Sequence, residues 1–154
     1  MASTKLILVI LTSLIANAYC SFWTSCKTGR PPINVQSPSC TGDRCLAVRG
    51  ENIILSVNSD FIEAHPLLRP RAFAIVLGVP IQIPDDPAYA DICPILNVNG
   101  VHRGCPTAPN TVYDWTLDML IPTAIPAFQN GRIRVELLDA GRVVHCFEVL
   151  GTML

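Results

Sequence analysis

Three histidines and a few carboxylates are the side chains of this chain that could take part in catalysis. His65 and His102 fall in predicted loops and His145 in a predicted strand, so their spacing brings no two of them together. The sequence contains neither a Gly-x-Ser-x-Gly elbow nor a phosphate-binding glycine loop. The acidic pairs fit turns and solvent-facing strand positions: Asp85, Asp86, Asp114 and Asp118. The sequence therefore predicts no catalytic residue and no enzyme.

Cysteines are the other reactive side chains, and their chemistry is either metal binding or disulfide formation. His102 lies three residues before Cys105, but no second pair of ligands has the spacing of a zinc site. Six cysteines remain if Cys20 is removed with the N-terminal segment: Cys26, Cys40, Cys45, Cys93, Cys105 and Cys146. Six cysteines allow fifteen pairings, and spacing alone does not choose among them. We expect disulfides, no metal and no cofactor.

Local geometry makes some disulfides plausible without fixing the set. The four residues between Cys40 and Cys45 can turn the chain back on itself. A bond from Cys93 to Cys105 would tie the ends of a loop rich in Pro, Asn and Gly. The remaining two cysteines would then join the first and last strands. In the chain-entropy model a bond that closes so long a loop stabilises a protein by about 4–5 kcal/mol.

Rows of apolar side chains could bind a lipid without covalent chemistry. If two packed sheets splay, the faces that usually fill the core line a tunnel instead. A guest gains roughly 25 cal/mol for each Å² of apolar surface removed from water. Taken alone, these apolar side chains favour the alternative to a tunnel, which is a core filled by side chains, because every sandwich of this size has such a core. The predicted lining is Ile53, Leu55, Val57, Phe61, Phe73, Ile75, Leu77, Val79, Tyr113, Trp115, Leu117, Met119, Ile133, Val135, Leu137 and Phe147.

An apolar loop is a candidate for the mouth of such a tunnel. Residues 121–128 read IPTAIPAF and carry a single hydroxyl as their only polar side chain. Prolines fix φ in this loop and would hold it in one conformation. An exposed loop this apolar can mark a binding or membrane-contact site. The alternative is a loop that packs over one end of the core.

The elements that must position these residues have the period-two pattern of β-strands. The longer predicted strands are Asn52 to Phe61, Arg71 to Val79, Val112 to Ile121, Arg132 to Asp139 and Arg142 to Leu150, with shorter ones at 33–37 and 46–48. The last two long strands are joined by a predicted hairpin turn at Gly141. About seven strands separated by turn residues predict an all-β, immunoglobulin-like antiparallel sandwich.

The first twenty residues have the layout of a secretory signal peptide. Lys5 supplies the positive charge, and an apolar run from Leu6 to Ile15 is about half as long as a membrane-spanning helix needs. Small residues allow cleavage before Tyr19 or before Ser21, and the second site leaves an even number of cysteines. We therefore expect a signal peptide over residues 1–20 and one domain over residues 21–154, outside the cytosol.

Composition narrows the class of protein further. The chain has 154 residues, 50% of them hydrophobic and 15% charged, against roughly 25% charged in an average soluble domain. This composition excludes a disordered tail. A formal net charge of −1 argues against a basic nucleic-acid binder. We expect a monomer that binds no nucleic acid.

Four short motifs follow one another along the chain: Ser37-Pro38-Ser39-Cys40 ahead of Cys45, the run Gly78 to Pro84, Cys105-Pro106 ahead of an aromatic strand at Tyr113, and Cys146-Phe147-Glu148 in the last strand. In this order they make the sequence resemble the ML lipid-recognition domain family, which includes the Niemann–Pick type C luminal cholesterol carrier and its invertebrate relatives. The resemblance covers about residues 22–150. Two positions depart from the cholesterol carriers: Ile83 replaces an aromatic rim residue, and Phe147 replaces a common Trp.

The resemblance implies a fold, a disulfide pairing and a rim. The implied pairs are Cys26–Cys146, Cys40–Cys45 and Cys93–Cys105. The implied entrance residues are Ile83, Thr123, Ala124, Ile125, Pro126 and Phe128. The implied function is to sequester a sterol, a fatty acid or a similar small lipid and to hand it off at the cavity mouth through a transient membrane or receptor contact. No Asn-x-Ser/Thr sequon is present, so the expected location is extracellular rather than lysosomal.

A second hypothesis comes from a different class of protein. The same sandwich with a filled core would act as an extracellular recognition or innate-immune module without a lipid. A continuous cavity of about 300 Å³ or more between the sheets would support the carrier, and a solid core would support the recognition module.

Overall fold

The computed structural model describes residues 21–154. The predicted signal peptide, its cleavage site and Cys20 lie outside the described residues. The strands are β1 (Trp23–Ser25), β2 (Asn34–Gln36), β3 (Cys40–Thr41), β4 (Arg44–Ala47), β5 (Asn52–Phe61), β6 (Arg69–Val76), β7 (Val79–Ile83), β8 (Asn97–Val98), β9 (Val101–His102), β10 (Thr111–Leu120), β11 (Phe128–Asp139) and β12 (Arg142–Met153). Two short 3₁₀ helices, Pro87–Tyr89 and Cys93–Ile95, lie between β7 and β8.

Two sheets form the predicted all-β sandwich. The larger has seven strands in the order β3-β4-β12-β11-β6-β7, with β1 also paired to β12. The smaller has five strands in the order β2-β5-β10-β8-β9. Neighbouring strands are antiparallel except β4 and β12, which run parallel. In the described part of the chain, no helix is long and apolar enough to cross a membrane.

The strands β5 and β10 form the centre of the smaller sheet, and both have the predicted alternation. They pair along their whole length, from Asn52 opposite Leu120 to Phe61 opposite Thr111. Side chains at every second position are buried against the larger sheet, and those between them face outward. Period two and one buried face are therefore enough to fix the register of this pair.

The predicted strand from Arg71 to Val79 is wrong, because the chain turns in its middle. Leu77 and Gly78 adopt φ values of +50° and +83° and form a tight hairpin turn between β6 and β7. A two-residue hairpin needs left-handed backbone, which glycine adopts freely and leucine does at a cost. Leu77 is 94% exposed at the tip, so the prediction that it lines the interior is wrong.

The predicted face of β6 is also wrong. Ala72 and Ala74 are buried and lie opposite Val135 and Ile133 of β11 on the inner face. The larger side chains of β6 point to the other face: Phe73 lies opposite Arg134, and Ile75 lies opposite Arg132. Two apolar rows alternate in this strand, and the row of smaller residues is the buried one. Ala72 lies beside Leu117 and Met119 of the facing strand β10, and in a closely packed interior alanine fits between such side chains where phenylalanine would not.

Ion pairs cover the outer face of the larger sheet. Glu136 is buried beneath Arg71, whose guanidinium also lies 5.2 Å from the centre of the Phe73 ring. Glu148 is buried between Arg132 and Arg134, at 2.9 and 2.8 Å. The guanidinium groups supply partners for the buried carboxylates. This face is therefore already occupied by its own side chains, and Phe73 belongs to it.

Three disulfides form the pairs implied by the family resemblance: Cys26–Cys146, Cys40–Cys45 and Cys93–Cys105. The first joins the N-terminal region to β12, and the second closes the β3–β4 hairpin. The third ties the two ends of the segment that carries β8 and β9. The prediction of a disulfide framework is confirmed.

Candidate functional site

The interior between the two sheets contains most of the predicted lining residues. The smaller sheet contributes side chains from β5 and β10, and the larger sheet contributes them from β7, β11 and β12. All are fully buried or nearly so: Ile53, Leu55, Val57, Phe61, Ile83, Tyr113, Trp115, Leu117, Met119, Ile133, Val135, Leu137 and Phe147. Phe73, Ile75, Leu77 and Val79 lie outside this cluster, because of the turn and the reversed face of β6.

The interior reaches the surface at a gap between the edges of the two sheets. The gap is a cavity of about 30 Å³ whose apolar lining includes Ala72 and Ile83 on one side and Leu117 and Met119 on the other. A volume of 30 Å³ is close to that of a single water molecule. It is about a tenth of the volume that a preformed lipid pocket needs. The large cavity expected at this place is therefore not formed in this structure.

A short segment covers the gap. It runs from Pro84 to the 3₁₀ helix at Pro87–Tyr89, which Asp86 caps by accepting a hydrogen bond from the backbone N–H of Ala88. The hydroxyl oxygen of Tyr89 accepts a hydrogen bond from the backbone N–H of Asp118 at 3.3 Å. We call residues 84–89 the covering segment.

The edge of β10 beneath the covering segment has few strand partners. β8 pairs with β10 at one position, Asn97 opposite Asp114. Beyond that position the edge of β10 is unpaired by strands, and Tyr89 supplies the partner for one of its N–H groups. On the other side of the gap, β7 is the last strand of its sheet. The gap is thus bordered by two free strand edges.

The apolar loop 121–128 packs over one end of the core, which was the alternative reading of its sequence. Ile121 and Ile125 are buried, and the backbone at Ile121 exchanges hydrogen bonds with Gly50 and Glu51. Thr123 and Pro126 are exposed, as is Ala124. The loop therefore has a buried side that plugs the sandwich and an exposed, largely apolar side.

The structure does not bring all of the predicted entrance residues to one rim. Ile83 lies in the gap beside Leu117. Phe128 packs instead against Gly131, so closely that a Cβ at that glycine would lie 2.4 Å from its ring. Phe128 borders a crevice of about 10 Å³ at the end of the sandwich. Ile83 and Phe128 therefore belong to two different openings.

Two buried histidines, His145 and His65, close the opposite end of the sandwich. His145 of β12 lies between the sheets, with Nδ1 3.0 Å from the carbonyl oxygen of Arg30 and Nε2 3.0 Å from that of Asp60. Burial lowers the pKa of His145, and the two carbonyl oxygens oppose that shift. A neutral imidazole donates from one nitrogen, so it satisfies one of these two contacts at a time.

His65 lies in the loop after β5 and is also buried. Its Nδ1 lies 2.9 Å from a carboxylate oxygen of Asp139 at the end of β11, so it joins the two sheets. Its backbone N–H donates to the hydroxyl of Thr107. One signal for the burial of His65 was present in the sequence, since His65 follows the apolar strand that ends at Phe61 and precedes Leu67-Leu68. No spacing rule could have identified a partner more than seventy residues away.

Ionic contacts surround the two histidines. Arg30 pairs with Asp60 at the surface, and this guanidinium holds the pKa of the Asp60 carboxyl below its usual value. Arg142 lies 2.7 Å from Glu63. In residues 21–154 the one group of three possible metal ligands is Asp91, Cys93 and Cys105, and its two cysteines are bonded to each other. A disulfide offers no thiolate to a metal.

Comparison with known proteins gives one family and a set of solved structures, of which two are described here. A family model described as ML domain (E1_DerP2_DerF2) matches residues 21–151. A Niemann-Pick type C2 protein from Japanese carpenter ant superposes with a TM-score of 0.69 at 17% identity, over 86% of this chain and 98% of that one. Chicken MD-1 complexed with lipid IVa gives a TM-score of 0.47 at 13% identity, over 83% and 85% of the two chains. No curated protein matches the sequence.

Proposed function

The chain belongs to the ML domain family, and we propose that it is a carrier that encloses a sterol, a fatty acid or a similar small lipid between its two sheets. The observation that carries this proposal is the continuous apolar interior, which reaches the surface between two free strand edges. Transfer needs no covalent step. Affinity comes from burial, and release comes from reopening of the gap.

Uptake requires the sheets to part, because the gap of about 30 Å³ is too small for a lipid. The covering segment is the element that has to move first. Between the covering segment and β10 the structure has one hydrogen bond, from Asp118 to the Tyr89 hydroxyl. Breaking it costs about 1 kcal/mol. A guest that buries about 300 Å² of apolar surface gains roughly 7 kcal/mol, enough to offset that loss and part of the strain of parting the sheets.

The opposite end resists opening. There, His65 joins the two sheets through Asp139, and His145 joins them through the carbonyl oxygen of Asp60. At the end near loop 121–128 the buried side chains between the sheets are apolar, among them Ile53, Met119 and Ile121, and the hydrogen bonds at this end join the connecting loops at its rim. Apolar contacts are non-directional and can be replaced by contacts with a guest. We therefore propose that the interior expands from the gap toward loop 121–128.

Hand-off needs a surface that contacts a membrane or a receptor. The exposed side of loop 121–128, with Thr123, Ala124 and Pro126, is the surface that we propose for this contact. The β6–β7 hairpin, with Leu77 at its tip, lies at the same end of the larger sheet as the start of β11. Both are apolar and exposed. Transient docking there would put the recipient next to the end that opens.

We propose that the protein acts outside the cytosol. Residues 1–20 have the layout of a signal peptide, and three disulfides are typical of an oxidising compartment. An extracellular location fits better than the lysosomal lumen, because the sequence has no sequon for a sorting glycan.

A pair of tryptophan substitutions tests the carrier. Leu117 points into the gap, and Leu120 of the same strand points outward and is 50% exposed. In the purified mature chain a fluorescent sterol or fatty-acid probe should change its emission at micromolar concentration. Leu117→Trp should weaken probe binding about tenfold or more while circular dichroism shows a folded protein, because overpacking removes space for the guest. Leu120→Trp should bind as the wild type does.

Two outcomes contradict the proposal. If neither class of probe responds in the wild type, the carrier function is wrong. If folded Leu117→Trp binds both probes with unchanged affinity, the lining of the gap is wrong. Mass spectrometry of lipid extracted from protein purified from its natural source would identify the ligand.

The closed interior favours a second candidate, an extracellular recognition module with a filled core. In that case the exposed surfaces alone would bind a partner, and the wild-type protein would bind neither probe. The same measurement therefore separates the two candidates.

A further inference from the structure

We infer that the end of the sandwich closed by the two histidines is a binding site for the hydroxyl head group of the cargo, with Nε2 of His65 as the hydrogen-bond acceptor. This inference rests on the proposed carrier function and specifies its cargo as a lipid that ends in a hydroxyl group, such as a long-chain alcohol or a sterol. The site is a cleft of about 190 Å³ between the end of β5 and the start of β12. We call it the polar cleft.

His65 lines the polar cleft, and its Nε2 is buried without a hydrogen-bond partner. His65 is 1% exposed, and within residues 21–154 its Nε2 is the only buried side-chain nitrogen or oxygen without a hydrogen-bond partner. Buried polar groups are almost always paired, because an unpaired one loses its hydration without replacement. Such an atom beside a cleft is where a ligand with a matching polar group gains most.

The partner of the other ring nitrogen fixes what Nε2 can do. The Asp139 carboxylate accepts a hydrogen bond, so the proton of the neutral imidazole lies on Nδ1. Nε2 then carries a lone pair and accepts a hydrogen bond from its ligand. A hydroxyl supplies the required donor. A carboxylate has no proton to donate, and burying an ammonium costs more than burying a hydroxyl.

The other polar side chains of the polar cleft have polar atoms within hydrogen-bond distance. Arg30 pairs with Asp60, and Arg142 pairs with Glu63. Each ring nitrogen of His145 lies 3.0 Å from a backbone carbonyl oxygen. Nε2 of His65 is therefore the buried acceptor of this cleft that has no polar atom near it.

The polar cleft is too small for a whole lipid and borders the apolar interior. A volume of 190 Å³ corresponds to about six water molecules, or to a head group with the first few carbons of a chain. The ring of Phe61 lies between the cleft and the core, with its centre 5.5 Å from His65, 4.9 Å from His145 and 5.6 Å from Tyr113. A chain whose hydroxyl reaches Nε2 would pass Phe61 and continue between the sheets.

A matched pair of ligands tests the inference. 1-Hexadecanol donates a hydrogen bond through its hydroxyl, and methyl hexadecyl ether has the same chain without the donor. Each would displace a fluorescent lipid probe from the wild type, from His65→Leu and from the control His102→Leu, whose histidine is exposed and does not line the polar cleft. We expect the alcohol to bind the wild type and the control roughly tenfold more tightly than the ether, and this preference to disappear in His65→Leu.

A measurement on the wild type avoids dependence on the folding of a variant. Long-range ¹H–¹⁵N spectra of the imidazole groups should show that the Nε2 resonance of His65 moves on addition of 1-hexadecanol and stays in place with the ether.

Equal binding of alcohol and ether by the wild type, a preference that survives in His65→Leu, or an unmoved Nε2 resonance would each overturn the head-group site and leave the carrier function standing. Failure of the probe and of both ligands to bind the wild type would reject the carrier function itself, and the head-group site with it.

Discussion

The buried histidine His145 makes the free energy of unfolding of this protein depend on pH. Burial lowers the pKa of His145 in the folded state below the 6.5 of the unfolded chain. Between these two values the unfolded chain binds a proton that the folded chain does not bind. The free energy of unfolding therefore falls as pH drops through 6.5 and stops falling, for this group, below the folded pKa. For one group, the free energy of unfolding changes by at most about 1.4 kcal/mol per pH unit.

The variant His145→Gln tests this dependence, since glutamine keeps an N–H donor for a carbonyl oxygen and does not titrate. We expect the wild type to lose up to about 1 kcal/mol more than the variant between pH 7.5 and 5.5, measured by urea unfolding. His102→Gln should keep the wild-type slope. The lowered pKa of Asp60 acts at more acid pH, where its contribution is lost as pH falls through the folded value. Identical slopes in the wild type and His145→Gln would reject the assignment.

One hydroxyl group should control the rate of uptake. Tyr89→Phe removes the acceptor for the Asp118 N–H and keeps the ring against the gap. We expect the covering segment to move more easily, so that association and dissociation of a lipid probe both become several-fold faster in stopped-flow fluorescence. Thr111→Val is the control, because it also removes a hydroxyl and its hydrogen bond, to the carbonyl oxygen of Pro109, at a residue that lines neither the interior nor the gap. Unchanged rates in Tyr89→Phe would show that the covering segment is not the gate.

At the scale of elements, the sequence predicted best where a strand is long and polar on one side. Strands β5 and β10 alternate apolar and polar residues, so their inner faces were assigned correctly. In β6 both rows are apolar, and periodicity could not tell Ala72 and Ala74 from their larger neighbours. Strands of two or three residues, such as β1 and β8, are too short to show a period.

The candidate site was likewise predictable only for residues on strands with a clear alternation of apolar and polar side chains. Burial of Leu117 and Met119 followed from the alternation in β10. The separation of Ile83 from Phe128 could not be predicted from alternation, because it depends on which strands form the edges of the sheets. The pairing of His65 with Asp139 is likewise a long-range contact, between a loop residue and the last residue of β11. The spacing of residues along the chain does not indicate which distant residues come into contact in the fold.

The β6–β7 hairpin contains a residue that is poorly suited to its turn. Leu77 has φ of +50°, and asparagine tolerates this left-handed conformation better than leucine does. We expect Leu77→Asn to raise the free energy of unfolding by about 0.5–1 kcal/mol in urea. Ile62→Asn is the control, since Ile62 is similarly apolar and exposed and has no positive φ. An equal effect in both variants would mean that surface hydrophobicity, not backbone strain, sets the change.

At the scale of the whole molecule, the disulfides act on the unfolded chain in proportion to the loops that they close. Cys26 and Cys146 are 120 residues apart, whereas Cys40 and Cys45 are five apart. In the chain-entropy model these bonds contribute about 5 and about 2 kcal/mol. Cys146 and Cys45 are both buried, so replacing each pair by alanine leaves a comparable small cavity. The difference between the two double variants therefore reports mainly on loop length.

We expect the Cys26→Ala/Cys146→Ala protein to lose about 3 kcal/mol more stability than the Cys40→Ala/Cys45→Ala protein, measured by urea unfolding of oxidised samples. The larger loss has a functional consequence. The first bond holds the N-terminal region to β12, beside Arg30 and the polar cleft, so its removal should loosen the end that stays closed during uptake. Lipid release should then accelerate in the first double variant and not in the second. Equal losses of stability would show that strain or residual structure, rather than chain entropy, determines what these bonds contribute.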